Sequence, residues 1–289
     1  MESLIYGIIA GSIILLGAIG FSMTLKAEGF INIAHGQMLL LGAYVALLFN
    51  SLGLGMFLAA LLSFIGCGLT GVLINRFLYR PVKEKGILVL LFTSIGTAYV
   101  ISGLVSAVAG KRLMGYDMAP VRAINIGGIP LLTKYELMII LISLGSVLAL
   151  HFFLTHTSLG KAIRSVADNY DLARIRGFNT QLTSDCVWFI ASGLAALAGV
   201  FSGILGSLHT EMGWHQIIII LAATVLGGLG SLYGVMVASL LLGLCMEFGI
   251  LFLPSSYRSA IAFAIIIIVL LLKPEGLQSI WAKTQKRVI

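Results

Sequence analysis

Charge is scarce in this chain. Of its 289 residues, 10% are Asp, Glu, Lys or Arg, against roughly 25% in an ordinary soluble domain. The longest gap runs over 29–75, 47 positions without one charged side chain. With 59% hydrophobic residues, no water-soluble core encloses so much apolar surface, and an all-α polytopic membrane protein with one integral domain, 1–289, is the class that remains. Cysteine is scarce too. Cys67, Cys186 and Cys245 each lie in an apolar run, at spacings that fit neither a metal site nor a disulfide framework, so they read as small buried hydrophobes. No clustered catalytic acid, nucleophile–base pair or metal constellation is visible, which argues against an integral-membrane enzyme: no catalytic and no metal-ligating residue is expected. His209, Glu211 and His215 are too sparse for a metal centre.

A nucleotide-binding P-loop is also missing. That motif needs Gly, four residues, then Gly-Lys-Ser/Thr, so that backbone amides and the Lys cradle phosphates. Gly-Lys occurs at 110–111 and 160–161, but Arg112 and Ala162 follow, and Val105 and Thr155 stand where the first Gly belongs. No cofactor is expected on this chain.

What is present is a series of apolar runs of bilayer length. A crossing needs about 20 residues at about 1.5 Å each. The runs predict nine spans: 3–25, 37–50, 54–76, 86–110, 135–154, 183–206, 217–230, 232–251 and 257–273. The first reads as a retained signal anchor, too long for a cleaved signal peptide. The second and seventh are short and read as half-helices or tilted pieces. The 47-residue run must fold back near Asn50–Gly55, and the uncharged run 212–246 must break at Gly227-Gly228-Leu229-Gly230-Ser231. Gly7/Gly11, Gly199/Gly203 and Gly230/Gly234, at small-xxx-small spacing, suit close helix packing.

The basic residues divide unequally between alternate loops. Lys26, Arg76, Arg80, Lys83, Lys85, Lys161, Arg164, Arg174, Arg176, Lys273, Lys283, Lys286 and Arg287 fall on one side, 13 of 18; Lys111, Arg112, Arg122, Lys134 and Arg258 fall on the other. The positive-inside rule makes the first side cytoplasmic, with the N-terminus outside and the C-terminal tail inside. The net charge of +7 is thus topological and no nucleic-acid partner is expected. Trp214, Tyr135 and Tyr257 fall at outer span ends, Tyr79 and Trp281 near inner ones, as aromatic belts do.

One inner loop, 155–182, carries a helical pattern in two pieces. Leu159, Ile163, Val166 and Ala167 share a face, Asn169-Tyr170 makes a turn, Asp171 is placed to cap a second piece ending at Arg176, and Gly177 suits the residue after a helix. Such a helix either lies on headgroups or docks a soluble partner. The small residues Ala162, Ala167, Ala173 and Gly177 favour docking.

Polar residues also interrupt the first long run: Phe30-Ile31-Asn32-Ile33-Ala34-His35-Gly36-Gln37-Met38. Unpartnered Asn and His in hydrocarbon cost several kcal/mol, and such residues commonly mark a cavity or substrate path. Together with Leu41-Gly42-Ala43-Tyr44, the run Ile31–Gly36 resembles the N-terminal signature of the permeases of branched-chain amino acid ATP-binding cassette importers, the LivH type. The loop residues Gly160, Arg164, Ala167, Ala173 and Gly177-Phe178-Asn179 resemble that family's ATPase-coupling loop, and Gly227–Ser231 and Lys273-Pro274-Glu275-Gly276-Leu277 its C-terminal landmarks. The likeness covers essentially the whole chain. Lys26-Ala27-Glu28 departs from it, placing two charges where the family tends to be more apolar.

The resemblance implies a transport subunit in the cell membrane. It would work with a second, homologous permease of the LivM type, two ATP-binding subunits that use ATP and Mg, and an extracytoplasmic solute-binding protein. Gly160, Lys161, Arg164, Ala167, Asp168, Ala173, Arg176 and Gly177 would form the coupling surface. Broken segments at 26–50 and 212–251 occupy corresponding positions in the two halves, which predicts an inverted repeat around a central path. The path residues expected are Asn32, His35, Gly36, Gln37, Gly227, Gly228, Gly230 and Glu247. A half-helix starting near His35 would turn free N–H groups and a partial positive charge toward a substrate carboxylate; alternatively Asn32 and His35 only tie the break together. Glu247, an acid in an apolar stretch, either pairs with Arg258, faces the path, or couples an ion in a secondary transporter. Urea and short-chain amides are the alternative substrates.

Overall fold

The structure, a computed structural model, describes residues 2–110, 112–118, 121, 124–126, 129–254 and 257–272. The Lys273–Leu277 landmark, Trp281 and the basic tail lie outside it. In chain order the helices are α1 (Glu2–Glu28), α2 (His35–Ser51), α3 (Met56–Ile74), α4 (Ile87–Ala109), α5 (Lys134–His156), α6 (Ser158–Asp168), α7 (Tyr170–Ile175), α8 (Thr180–Leu205), α9 (Met212–Gly227), α10 (Leu232–Gly249) and α11 (Arg258–Leu272). α3 continues through a π turn, Asn75–Tyr79, and 3₁₀ turns, Arg80–Lys85. Six of these helices are long and apolar enough to cross a bilayer, and α2, α9 and α11 are shorter at 17, 16 and 15 residues. Helices therefore stand at all nine positions where spans are expected, the second and seventh short as expected. One departure from a purely helical chain is a small antiparallel hairpin between α4 and α5, β1 (Ile124–Ile126) with β2 (Ile129–Leu132).

Lys26 at the end of α1 pairs with Asp168 at the end of α6 (3.2 Å), so α1 finishes at the end of the bundle that carries α6 and α7. α8 starts from that same end. α1 and α8, 27 and 26 residues long, therefore run in opposite directions, packed against each other and both largely buried. Each is followed by an irregular return, a short helix and then a spanning helix. α3 lies along α8 as α10 lies along α1, and α2 packs on α4 as α9 packs on α11. The molecule is an inverted repeat of α1–α4 and α8–α11, with α5–α7 between.

This corrects one expectation. The segment matching 26–50 is not 212–251 but the stretch from the end of α8 into α9. Gly227–Ser231 matches instead the turn at Asn50–Gly55: both are chain reversals at a bundle end, with left-handed glycines at Gly53 (φ +86), Gly228 (φ +97) and Gly230 (φ +82). Gly230 lies beside the Lys26 side chain, far from mid-depth. The charge-free run hid this, because apolar length alone does not show where a chain reverses.

Glycine makes the packing close. Gly7 and Gly11 of α1 lie against Leu244 and Leu240 of α10, and a Cβ on Gly20 would stand 2.7 Å from the Ala191 carbonyl oxygen of α8. In lipid, where apolar surface gains nothing by leaving a solvent as apolar as itself, such van der Waals contact is what holds helices together.

Candidate translocation break and coupling loop

The first break begins where Gly29 takes φ +76 and α1 stops. The chain then returns toward mid-depth. His35, the first residue of α2, lies beside Gly17 of α1, eleven residues back from Glu28, or about 16 Å of helix. Its Nε2 donates to Gly17 O at 2.9 Å; a carbonyl only accepts, so the ring proton sits on Nε2. Asn32 Oδ1 accepts from Ala34 N (3.1 Å) and from the Tyr79 hydroxyl (3.2 Å), and Ile33 N donates to Ser94 Oγ (3.2 Å). Asn32 and His35 are each 1% exposed. The sequence leaves open whether these side chains line a path or hold the break; in this arrangement both hold it, meeting backbone groups that hydrocarbon would leave orphaned.

Gln37 differs. It is fully buried, 0% exposed, and neither its Nε2 nor its Oε1 has a hydrogen-bond partner. It sits where α2 starts against the start of α9. A Cβ on Gly36 would overlap Gly213 O and stand 2.6 Å from Ile217 Cβ; one on Gly213 would stand 2.6 Å from Gln37 Oε1. The second return, 206–211, runs inward from the opposite end of the bundle, held by paired backbone hydrogen bonds between Leu208 and Met114 (2.8 and 3.0 Å). Trp214 consequently packs on Tyr99 in the middle of α4, ring centroids 5.0 Å apart, and not in an outer aromatic belt. Two half-helices from opposite sides thus abut at mid-depth through two glycines. Nearby, Tyr116 donates its hydroxyl to Ala43 O (3.0 Å), and burial pushes its pKa above the ordinary phenol value.

Below the first break lies a polar network absent from the expected set. Asp185 of α8 binds Arg76 through Nε (2.9 Å) and Nη2 (2.7 Å) and Arg80 through Nη2 (2.9 Å). Glu28, its side chain 5% exposed, binds Lys83 Nζ at 2.7 Å and accepts from Ser184 Oγ and Trp188 Nε1. Trp188 stacks on Tyr79 at 4.9 Å. The π turn lets Asn75, Arg76 and Tyr79 all reach this cluster. The signal in sequence was Arg-x-x-x-Arg at 76–80 with an acid early in a later span.

The 155–182 loop is two short helices with side-chain caps: Thr157 accepts from Gly160 N (2.9 Å), Asn169 from Leu172 N (2.9 Å) and Asn179 from Leu182 N (3.0 Å). Asn169, not Asp171, caps α7, because Asp171 already lies inside it. Gly160, Ala162, Ile163 and Val166 face inward, whereas Leu159 and Ala167 are only half-buried, a face turned slightly from the one expected. Gly160 has no room for a Cβ against Phe153 O and Leu154. Ala173 is buried, and Gly177 takes φ +82. Lys161, Arg164, Asp168 and Arg176 are exposed. So are Leu172 and Ile175, the latter 82%.

Gly227, Gly228 and Gly230 stand at the bundle end described above. Glu247 is not deep in a span: α10 stops at Gly249, and the carboxylate meets Arg258 Nη2 at 2.6 Å. An acid in a helix's last turn opposes its dipole, and Arg258 offsets it. Among the described residues no group of three or more His, Cys, Asp or Glu is placed to hold a metal ion.

The sequence matches, over residues 3–270, the family described as "Branched-chain amino acid transport system / permease component". The chain belongs to that permease family. The permease is 29% identical to the "High-affinity branched-chain amino acid transport system permease protein LivH" of Escherichia coli K12, covering 96% of this chain and 94% of that one. It is 28% identical to the corresponding protein BraD of Pseudomonas aeruginosa, over 96% and 95%. Its fold resembles a solved structure, "PsaBC from Streptococcus pneumoniae in complex with Fab", with TM-score 0.52 and 17% identity over 93% of this chain and 90% of that one. The permease is a multi-pass membrane protein.

Proposed function

We propose that this permease imports branched-chain amino acids as the membrane subunit of an ATP-driven transporter. It would pair with a second homologous permease and be driven by two ATP-binding subunits, with substrate delivered by an extracytoplasmic binding protein. The observation that carries the reading is the α6–α7 element: outside the spans, each helix fixed by a side-chain cap, presenting Leu172 and Ile175 beside exposed Arg174 and Arg176. Leu172 and Ile175 need an apolar partner, and the small residues Ala162, Ala173 and Gly177 beside them, which allow close approach, favour the groove of a soluble ATPase over lipid headgroups. The exposed Lys161, Arg164, Asp168 and Arg176 would surround that contact. The α6–α7 end is then cytoplasmic, in keeping with the excess of basic residues there.

The path would open where α2 and α9 meet at Gly36 and Gly213, with Asn32, His35 and Gln37 beside it. Both helices present their N-terminal ends there, which favours a carboxylate as substrate group. Hydrolysis would belong to the partner subunits, since this chain has no P-loop. The test is uptake in proteoliposomes holding the permease pair, the ATP-binding subunits and the binding protein. Radiolabelled leucine, isoleucine and valine should accumulate with ATP inside and not without it. Uptake of urea or acetamide in their place would overturn the substrate assignment. Uptake driven by a proton or sodium gradient and abolished by Glu247→Gln would overturn the ATP-driven reading.

A further inference from the structure

Lys26 and Glu28 are the charges that depart from the family pattern, and both have partners here. The Lys26–Asp168 pair is exposed at both ends and is therefore weak and screened. Glu28 is the opposite case: its side chain is enclosed, with Oε2 on Lys83 and Oε1 accepting from Ser184 and Trp188. It is the last residue of α1, immediately before Gly29. Its carboxylate thus fixes the point from which the chain departs for the break.

The same Lys83 ammonium lies 4.6 Å from the ring centroid of Tyr170, the first residue of α7. Tyr170 in turn accepts from Thr180 Oγ1 at 3.2 Å. On the other side, Glu28 holds Trp188, Trp188 stacks on Tyr79, and Tyr79 donates to Asn32 inside the break. Lys83 therefore touches both the anchor of the break and the base of α7. A long, flexible cation suits that place: it can keep both a carboxylate and an aromatic face while their separation changes.

We propose that Glu28 and Lys83 form a relay through which displacement of α6–α7 is passed to the 29–34 break, making them positioning residues for coupling. The proposal rests on the reading of α6–α7 as the element that docks the ATPase. The quantity that reads such coupling is leucine transported per ATP hydrolysed.

The experiment compares the complete transporter in proteoliposomes carrying wild-type permease, Glu28→Gln, Lys83→Met, the double variant, or Lys83→Arg. The ATP-binding subunits should co-purify in full with every variant and hydrolysis should continue. Leucine per ATP should fall at least fivefold in each single variant, no further in the double variant, and return close to wild type in Lys83→Arg. An unchanged ratio in Glu28→Gln and Lys83→Met overturns the relay, as does uptake and hydrolysis falling in equal proportion. If Glu28→Gln fails to accumulate in the membrane, Lys83→Met decides alone, since that side chain is 34% exposed. If the ATP-binding subunits do not co-purify with the wild-type chain, the docking reading of α6–α7 fails and takes the relay with it.

Discussion

Gln37 is fully enclosed without a partner for either amide atom, and such a group costs about 1–3 kcal/mol in desolvation. Leucine has nearly the same volume and no such cost. Gln37→Leu should therefore raise the unfolding temperature of the detergent-solubilised permease by several degrees and at the same time lower leucine uptake. A stabilised variant that transports at the wild-type rate would remove Gln37 from the path. Asn32 offers less, because only its Nδ2 lacks a partner while its Oδ1 serves Ala34 N and the Tyr79 hydroxyl, and His35 offers no such gain, because it meets Gly17 O. Three polar residues within one short stretch thus carry different burdens. Residue type and spacing could not separate them, since the distinguishing partners lie on α1 and in the π turn after α3.

At the scale of elements, most of the bundle was legible. Charge punctuates the chain at intervals a bilayer sets, so the nine spans fell within a few residues of the observed helices. The second return was not legible, because Gly206–Glu211 is polar and glycine-bearing like any outer loop, and only the burial of Leu208 and Thr210 shows that it turns inward. The glycines at 227–230 misled for the converse reason: a left-handed glycine marks a reversal at any depth. The polar cluster of Glu28, Lys83 and Asp185 was missed because its members are far apart in sequence and each reads as a span-end charge. The loop helices were legible in outline, through the apolar spacing of Leu159, Ile163, Val166 and Ala167, of which Ile163 and Val166 are buried. Their outward face makes a direct prediction. Ile175, 82% exposed, touches too little of its own chain for a substitution to disturb folding. Ile175→Glu should leave the permease in the membrane at wild-type level but reduce co-purified ATP-binding subunits about tenfold or more, as expected for a central apolar anchor. Full recovery of those subunits would mean that α7 does not face them.

At the scale of the molecule, inversion of the repeat means that one half's return enters from each side, so the contact between Gly36 and Gly213 is reached by irregular backbone from both faces. Exchanging the ends would leave this core almost unchanged, and helix packing alone does not orient the chain. Orientation is left to the flanking charge, and basic residues resist translocation. The end carrying Arg76, Arg80, Lys83, Lys85, Lys161, Arg164, Arg174 and Arg176 should remain cytoplasmic, with the α4–α5 connection outside. Single cysteines in a cysteine-free background test this, after Cys67, Cys186 and Cys245 are replaced. Leu113→Cys, at a position 72% exposed, should react with a membrane-impermeant maleimide on intact cells whose outer barrier has been opened. Ile175→Cys should react only after the cytoplasmic membrane is breached. The reverse pattern would place α6–α7 outside, beyond the reach of any cytoplasmic ATPase, and the importer reading would not survive it.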